Sequence, residues 1–270
     1  MASIKSDASA DRQVLSNGRC EHGGMTQLPP ALVGVSHGTS SDEGRRAVRG
    51  LHDAVAAAVA ERHPDATPAV RLGHVDVEQP DVPATLASLE PGESAVVVPL
   101  LLSAGYHVYV DLTEAVEAEA GRPVVLAGAL GPDDRLAAVL MRRLEEAGLR
   151  EGDAIVLAVA GSSDRRAVDD CRDMAARLAA ASGQDVALGF LSAAVPRLPE
   201  AVASARAAAA RDGRVVVANY LLAPGYFDEL TRAAGVDVTA RPLLVPDEPA
   251  PSELVDIVLD RYDAASARLG

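Results

Sequence analysis

The chain contains no tryptophan, only 2 phenylalanines and 5 tyrosines, and its aromatic share is 3%. A surface that stacks nucleobases on aromatic rings is therefore not expected. Lysine is almost absent: Lys5 stands alone, and every other basic residue is arginine. With 39 acidic against 25 basic residues, the formal net charge is −14. That balance argues against a nucleic-acid partner and against an anionic membrane surface, and an anionic ligand would need a local basic pocket. No apolar run approaches the roughly 18–20 residues of a membrane span. The first 30 residues hold no apolar core of the kind a secretory signal requires. The 2 cysteines, Cys20 and Cys171, have no CxxC spacing. Neither a zinc site nor a disulfide framework follows from them, and a reducing cytoplasm is the expected compartment.

What is present is globular. The 270 residues are 49% hydrophobic and 24% charged, which suits a soluble protein of about two domains. Residues 1–30 are polar and aperiodic and are expected to form a disordered tail. Cys20, His22 and Met25 in that tail read either as an accessory metal-capture arm or as a bland extension. From residue 31 strand and helix patterns alternate. Strands are expected at 31–36, 69–75, 95–102 and 123–129, with helices at 44–63, 83–90, 111–120 and 133–147. The pattern then repeats, with strands at 154–159, 185–191, 214–222 and 238–244, and helices at 164–181, 199–211 and 252–267, plus a short helix before the last strand. Two similar doubly wound α/β domains with parallel sheets follow, 31–150 and 151–270, with Glu151–Asp153 as the hinge between them.

An internal duplication supports that division. Val35–Ser40 aligns with Val159–Ser163 when His37 meets Ala160, and Leu101–His107 aligns with Leu221–Phe227 through a shared Leu-Leu-x-x-Gly-Tyr. His107 then meets Phe227, and Asp76, four residues before Pro80, meets Ser192, four before Pro196. Each reactive residue has an inert counterpart, so the fold alone does not demand it, and function is expected in the first half.

His37, Asp76 and His107 each follow a strand, and in open parallel sheets ligands bind beyond the strands' carboxyl ends. Neutral imidazole suits Fe²⁺, Co²⁺, Ni²⁺ or Zn²⁺ and also accepts protons near neutral pH. Two imidazoles and one carboxylate leave coordination positions open, as an exchanging site needs. The bland alternative is that these are capping or core residues. His52 and His63 read as helix-surface residues. His74 lies two residues from Asp76 on a strand and reads either as sharing that face or as a residue without a site role.

The loop His37-Gly38-Thr39-Ser40-Ser41 precedes a helix whose free N–H groups suit an anion. It lacks P-loop spacing. Arg45, Arg46 and Arg49 follow and read either as carboxylate clamps or as a solvated face paired with Asp42 and Glu43. Gly105, two residues after Ser103, reads as a tight turn or as a close backbone approach to a ligand. Tyr106 recurs as Tyr226 and so also reads as packing, and Asp111 is expected to open the next helix.

Val35–Ser40, the segment from Asp76 to Pro80, and Pro99–Leu112 (PLLLSAGYHVYVDL) together resemble the CbiX/SirB family of sirohydrochlorin chelatases, in its long two-domain form. The resemblance covers about residues 31–268. It implies that His37 and His107 bind the metal and deprotonate the pyrrole nitrogens. Asp76 stands where the family commonly has glutamate, and Thr113 where it usually has proline. Ser36, Gly38, Thr39, Ser40, Arg45, Ser103, Gly105 and Tyr106 are the implied substrate contacts, in an apolar cleft between the halves. The implied substrates are a polycarboxylate tetrapyrrole and Fe²⁺, with Co²⁺ next, on the way to sirohaem or cobalamin. No prosthetic group is expected, and the chain is expected to be a monomer or homodimer. A non-enzymatic metal or tetrapyrrole carrier is the alternative. A phosphohistidine phosphatase is disfavoured, because Ser36 occupies the place where that chemistry needs arginine.

Overall fold

A computed structural model describes residues 29–103, 105–209 and 213–269, with the side chains of residues 106–109 outside the description. Cys20, His22 and Met25 lie outside the described residues. The elements in the first half are β1 (Ala31–Ser36), α1 (Asp42–Arg62), β2 (Val70–His74), α2 (Val82–Ala87), β3 (Ala95–Pro99), α3 (Tyr106–Glu117), β4 (Val124–Leu126) and α4 (Asp134–Glu146). The second half carries β5 (Ala154–Val159), α5 (Arg165–Ser182), β6 (Val186–Phe190), α6 (Leu198–Ala208), β7 (Val215–Tyr220), α7 (Tyr226–Arg232), β8 (Val238–Thr239) and α8 (Ser252–Ser266). Among the described residues no helix is long and apolar enough to cross a membrane.

The strands form two four-stranded sheets, ordered β2-β1-β3-β4 and β6-β5-β7-β8, all parallel. The central strands are apolar on both faces because helices cover both. On the outer face of the first sheet, Ala31, Val33 and Val35 meet Val82 and Leu86 of α2 and Leu112 of α3. On the outer face of the second, Val156 and Ala158 meet Leu198 and Val202 of α6. The inner faces share one core. Leu32, Val96 and Val98 join Ile155, Leu157 and Val216 through the apolar stripes of α1, α4, α5 and α8.

The helices of this shared layer cross the boundary at 151–153 that separates the strands. α4, which ends the first half, packs on β7 and α5, whereas α8, which ends the second, packs on β3, β4 and α1. α8 is fastened there by polar contacts: the Tyr262 hydroxyl donates to the Pro30 carbonyl (2.6 Å) and Arg261 Nε to the Ala129 carbonyl (2.8 Å). Arg142 pairs with Glu253 (2.9 Å) and Arg135 with Asp260 (2.6 Å). Exposed pairs of this kind contribute at most about 1 kcal/mol each. The apolar burial, roughly 1.5–3 kcal/mol for each fully buried large side chain, decides the arrangement.

Local differences from the sequence expectation have physical reasons. β3 stops at Pro99, which has no N–H to give the ladder, although the Leu100 N–H still donates to the Val35 carbonyl of β1 (2.8 Å). α3 begins at Tyr106 behind Gly105, and Asp111 lies exposed inside the helix rather than opening it. The valine- and tyrosine-rich start has weak helix propensity, and the crossover geometry overrides it. The strands β4 and β8 are shorter than expected, at 3 and 2 residues. The Glu151–Asp153 segment, expected as a hinge, is a pinned turn: buried Asp153 accepts from the Arg150 N–H (2.9 Å) and from Arg214 Nε (3.1 Å).

Hydrogen bonds from Arg214 hold the Asp153 carboxyl below the usual carboxylate range, against the opposing effect of burial. A depressed carboxylate stabilises above its unfolded value of about 3.9, and that contribution disappears as pH falls through the folded value. Asp153→Asn should therefore lower the urea midpoint at neutral pH, and its gap to the parent should close as pH falls below about 4.

Candidate functional site

In the order β2-β1-β3-β4 the chain reverses direction across the sheet between β1 and β3. That switch point is where a parallel sheet opens a crevice at its carboxyl edge. His37 follows β1 directly, and residue 107 lies in the first turn of α3, the helix that follows β3. Asp76 follows β2, the other neighbour of β1. The three positions thus leave three adjacent strands. The side chains of His107 and Tyr106 lie outside the described residues. Among the described residues no three His, Cys, Asp or Glu side chains are gathered to hold a metal.

Two loops lock together here. The Val75 N–H donates to the Ser36 carbonyl (2.9 Å) and the Asp76 N–H to the His37 carbonyl (3.0 Å). His37 and Asp76 are both exposed. The Asp76 Oδ1 accepts its neighbour's Val77 N–H (2.7 Å), which leaves most of the carboxylate's lone pairs free. Gly38 has φ 93°, and a Cβ there would collide with the Asp76 carbonyl oxygen. Only glycine permits this conformation without strain.

The second half repeats the lock atom for atom. The Leu191 N–H donates to the Val159 carbonyl and the Ser192 N–H to the Ala160 carbonyl, both at 2.9 Å. Gly161 has φ 91° and meets the Ser192 carbonyl as Gly38 meets that of Asp76. Val77 and Ala193, with φ 66° and 56°, are likewise matched. This places His37 opposite Ala160 and Asp76 opposite Ser192 on identical backbones.

The same register shows a polar cluster that the sequence reading did not assemble. Ser36 pairs with His74 across the sheet, as Val159 does with Phe190. Ser36 Oγ and His74 Nδ1 are hydrogen-bonded at 2.8 Å. Glu78 Oε1 lies 3.8 Å from that nitrogen and accepts the Thr39 N–H at 2.8 Å. Arg45 Nε sits 3.4 Å from Glu78 and donates to the Thr39 carbonyl (3.1 Å). The side chains of His74 and Glu78 are only 7% and 10% exposed. Burial holds the His74 pKa below its ordinary value; Glu78 opposes this, and Arg49 and Arg45 reinforce it. The carboxylate that faces His74 is therefore Glu78 rather than Asp76, because β2 ends at His74 and the chain turns before Asp76. A signal was available: Glu78 lies four residues after His74, and counting back from Pro196 as from Pro80 sets it against Ala194.

Three N–H groups of the loop and helix start expected to receive an anion already have partners within the chain. Glu78 takes the Thr39 N–H, Thr39 Oγ1 takes the Ser41 N–H (3.1 Å) and Ser41 Oγ takes the Gly44 N–H (3.2 Å). Asp42 and Glu43 fill the first turn of α1 and themselves complement the helix dipole. Arg45 is engaged by Asp42, Glu78 and Thr39, and Arg46 by Asp247 (3.2 Å). Ser40 is exposed, and the Ser103 carbonyl accepts the Gly105 N–H (3.0 Å).

Across from this edge stands the matching edge of the second half. A Cβ on Gly44 would strike the Pro224 carbonyl, one on Gly225 would lie 3.2 Å from Thr39 Oγ1, and one on Gly105 would lie 3.9 Å from Ser162 Oγ. Loops after β1 and β7, and after β3 and β5, thus touch in two related pairs. Val77, Val195 and Tyr226 are exposed by 56%, 73% and 68%. Val77 and Val195 stand on the loops after β2 and β6, and Tyr226 opens α7 after β7. Charge differs between the halves. Asp42 and Glu43 correspond to Arg165 and Arg166 in the first turn of α5, and the cap residue Asp81 of α2 to Arg197 of α6. Arginines at a helix start oppose the helix dipole, so helix stability does not explain them.

The family model of CbiX matches residues 31–147 and 154–237, which is most of the chain. The chain belongs to the CbiX family. A sirohydrochlorin cobaltochelatase of Sulfurisphaera tokodaii is 32% identical over 79 residues, 28% of this chain, and the chain spans 66% of that relative's length. SirB from Bacillus subtilis with Fe³⁺ superposes with a TM-score of 0.66 at 17% identity, covering 90% of this chain and 97% of SirB. A structure of CbiX described as the terminal enzyme of sirohaem biosynthesis in denitrifying bacteria reaches 0.57 at 20% identity, covering 85% and 98%. At such identities these structures speak for the CbiX-type fold.

The paired glycine locks make a matched prediction. Gly38→Ala and Gly161→Ala should each cost at least about 2 kcal/mol through strain and the carbonyl clash, read as similar falls in urea midpoint.

Proposed function

We propose that this chain inserts a divalent metal, Fe²⁺ first and Co²⁺ next, into sirohydrochlorin, with His37 and His107 as the catalytic residues and Asp76 as a further metal contact. The observation that carries the reading is the switch point of the first sheet. Histidines follow both of its strands in a CbiX-family chain, whereas Ala160 and Phe227 follow the same strands of the second sheet. The second half then serves as the far wall. Residues 31–150 and 151–270 act as the catalytic and the degenerate unit of one cleft.

Insertion exchanges one M²⁺ for two pyrrole N–H protons. An imidazole that ligates weakly and accepts a proton near neutral pH suits both halves of that exchange. Exposed His37, with the Asp76 carboxylate beside it, meets metal from solvent and releases it to the macrocycle. Val77, Val195 and Tyr226 supply apolar surface for the ring faces. The substrate carboxylates fall to Arg165 and Arg166, whose side chains stay 92% and 69% exposed while pairing with Asp169 (3.8 Å) and Asp164 (3.1 Å), rather than to Arg45, which is 38% exposed and held by Asp42, Glu78 and Thr39. Gly38, Thr39, Ser40, Ser103, Gly105 and Tyr106 form the floor on the first half's side. The acidic first edge attracts the cation while the arginine-bearing second edge attracts the anionic ring.

Two measurements test this. Anaerobic absorbance of sirohydrochlorin with Fe²⁺, Co²⁺ or Ni²⁺ should change faster with protein than without. His37→Ala and His107→Ala should each reduce the rate about 100-fold or more. A spectral shift on macrocycle binding with no acceleration would instead mark a carrier. Charge reversal by Arg165→Glu with Arg166→Glu should raise KM for the macrocycle about tenfold and leave kcat within about twofold, since it removes ground-state binding. An unchanged KM would move the carboxylates elsewhere.

A further inference from the structure

Three side chains of the first half lie just beneath the metal-delivery residues without joining them: Ser36, His74 and Glu78. The second half places Val159, Phe190 and Ala194 at the same backbone positions. An apolar set therefore builds the same loop lock, and its Gly161 keeps the φ of Gly38. The polar set is not needed to fold this corner. It also has a cost, because a buried imidazole and a nearly buried carboxylate must be hydrogen-bonded to offset their lost hydration.

The hydrogen bonds converge on one residue. Glu78 accepts the Thr39 N–H at 2.8 Å and Arg45 holds the Thr39 carbonyl at 3.1 Å, so this residue is gripped at both its backbone groups. Glu78 is itself flanked by Arg45 at 3.4 Å and by His74 at 3.8 Å, and His74 is tied to Ser36. Ser36 immediately precedes His37, and Thr39 follows it by two residues. The exposed His37 side chain is thus carried on a short loop fastened at both ends by side chains that reach no solvent-facing ligand position.

We propose that Ser36, His74 and Glu78 are positioning residues that set His37 for metal binding and delivery, acting through the Thr39 backbone rather than by contact with metal or macrocycle. The proposal rests on the chelatase reading for its rate predictions, but not for its metal-affinity prediction. A fixed imidazole spends less conformational freedom on ligation. Supporting groups of this kind typically change metal affinity or activity about 10–100-fold.

The test uses the full chain with four changes: Glu78→Ala, Glu78→Gln, His74→Phe, and the combined Ser36→Val, His74→Phe and Glu78→Ala, which copies the second half. Co²⁺ binding is titrated calorimetrically without macrocycle, with His37→Ala as reference, and sirohydrochlorin metallation is followed in parallel. Glu78→Ala and the combined variant should weaken Co²⁺ binding and lower kcat about tenfold or more, with KM for the macrocycle within about twofold. Glu78→Gln retains an acceptor for the Thr39 N–H and should recover to within about threefold of the parent. Parent-like affinity and kcat in Glu78→Ala would overturn the proposal. Equal impairment in Glu78→Gln and Glu78→Ala would do so too, because it would mean that Glu78 acts by charge on the metal. If the combined variant fails to fold, the single Glu78 pair still decides. A parent chain that binds Co²⁺ but does not metallate the ring would sink the chelatase reading while the affinity series still reads the network. A parent that binds no Co²⁺ sinks both.

Discussion

The structure depends on the apolar layer shared by the two sheets. α4 leaves the first sheet to lie on the second, and α8 returns from the end of the chain to lie on the first. Neither sheet buries its inner face with helices of its own half alone. Because interiors pack to near-crystalline density, this exchange leaves little freedom for one sheet to slide past the other. The carboxyl edges are brought together as a consequence, and the loops after β1 and β3 meet those after β7 and β5. The facing of the two edges is therefore a product of helix packing, not of contacts made by the edge residues themselves.

The two halves share backbone solutions and differ in side chains at that edge. Paired loop locks, positive-φ glycines and matched sheet registers recur in both. Onto this common frame the first half places histidine and carboxylate where the second places alanine, serine and phenylalanine. The second half places arginines where the first has acidic residues at its helix starts. Common backbone marks what the fold requires, and the side-chain differences mark what it does not. A polar residue with an apolar counterpart in the same setting calls for an explanation beyond folding.

Much of this was legible in the sequence. Apolar runs with helical stripes between them define the α/β alternation, since burial on both faces demands such runs. The pairings of His37 with Ala160, Asp76 with Ser192 and His107 with Phe227 were readable because the Leu-Leu-x-x-Gly-Tyr and x-Pro anchors lie close to them in the chain. Element ends were less readable. The start of α3 at Tyr106 runs against local propensity, and β4 and β8 stop short of the apolar runs that carry them.

By itself, then, the sequence determined the strand and helix order, the repeat, and the positions where reactive residues follow strands, because each is a local or periodic property. Tertiary structure alone decided the rest. It directed Glu78, rather than the nearby Asp76, to His74 and Thr39, gave the Thr39, Ser41 and Gly44 N–H groups internal partners, and occupied Arg45. It also carried α4 and α8 across the boundary between the sheets. Those outcomes rest on distances between groups up to some two hundred residues apart, as between Pro30 and Tyr262. Only the packed core, which sets where each loop lands, fixes such distances.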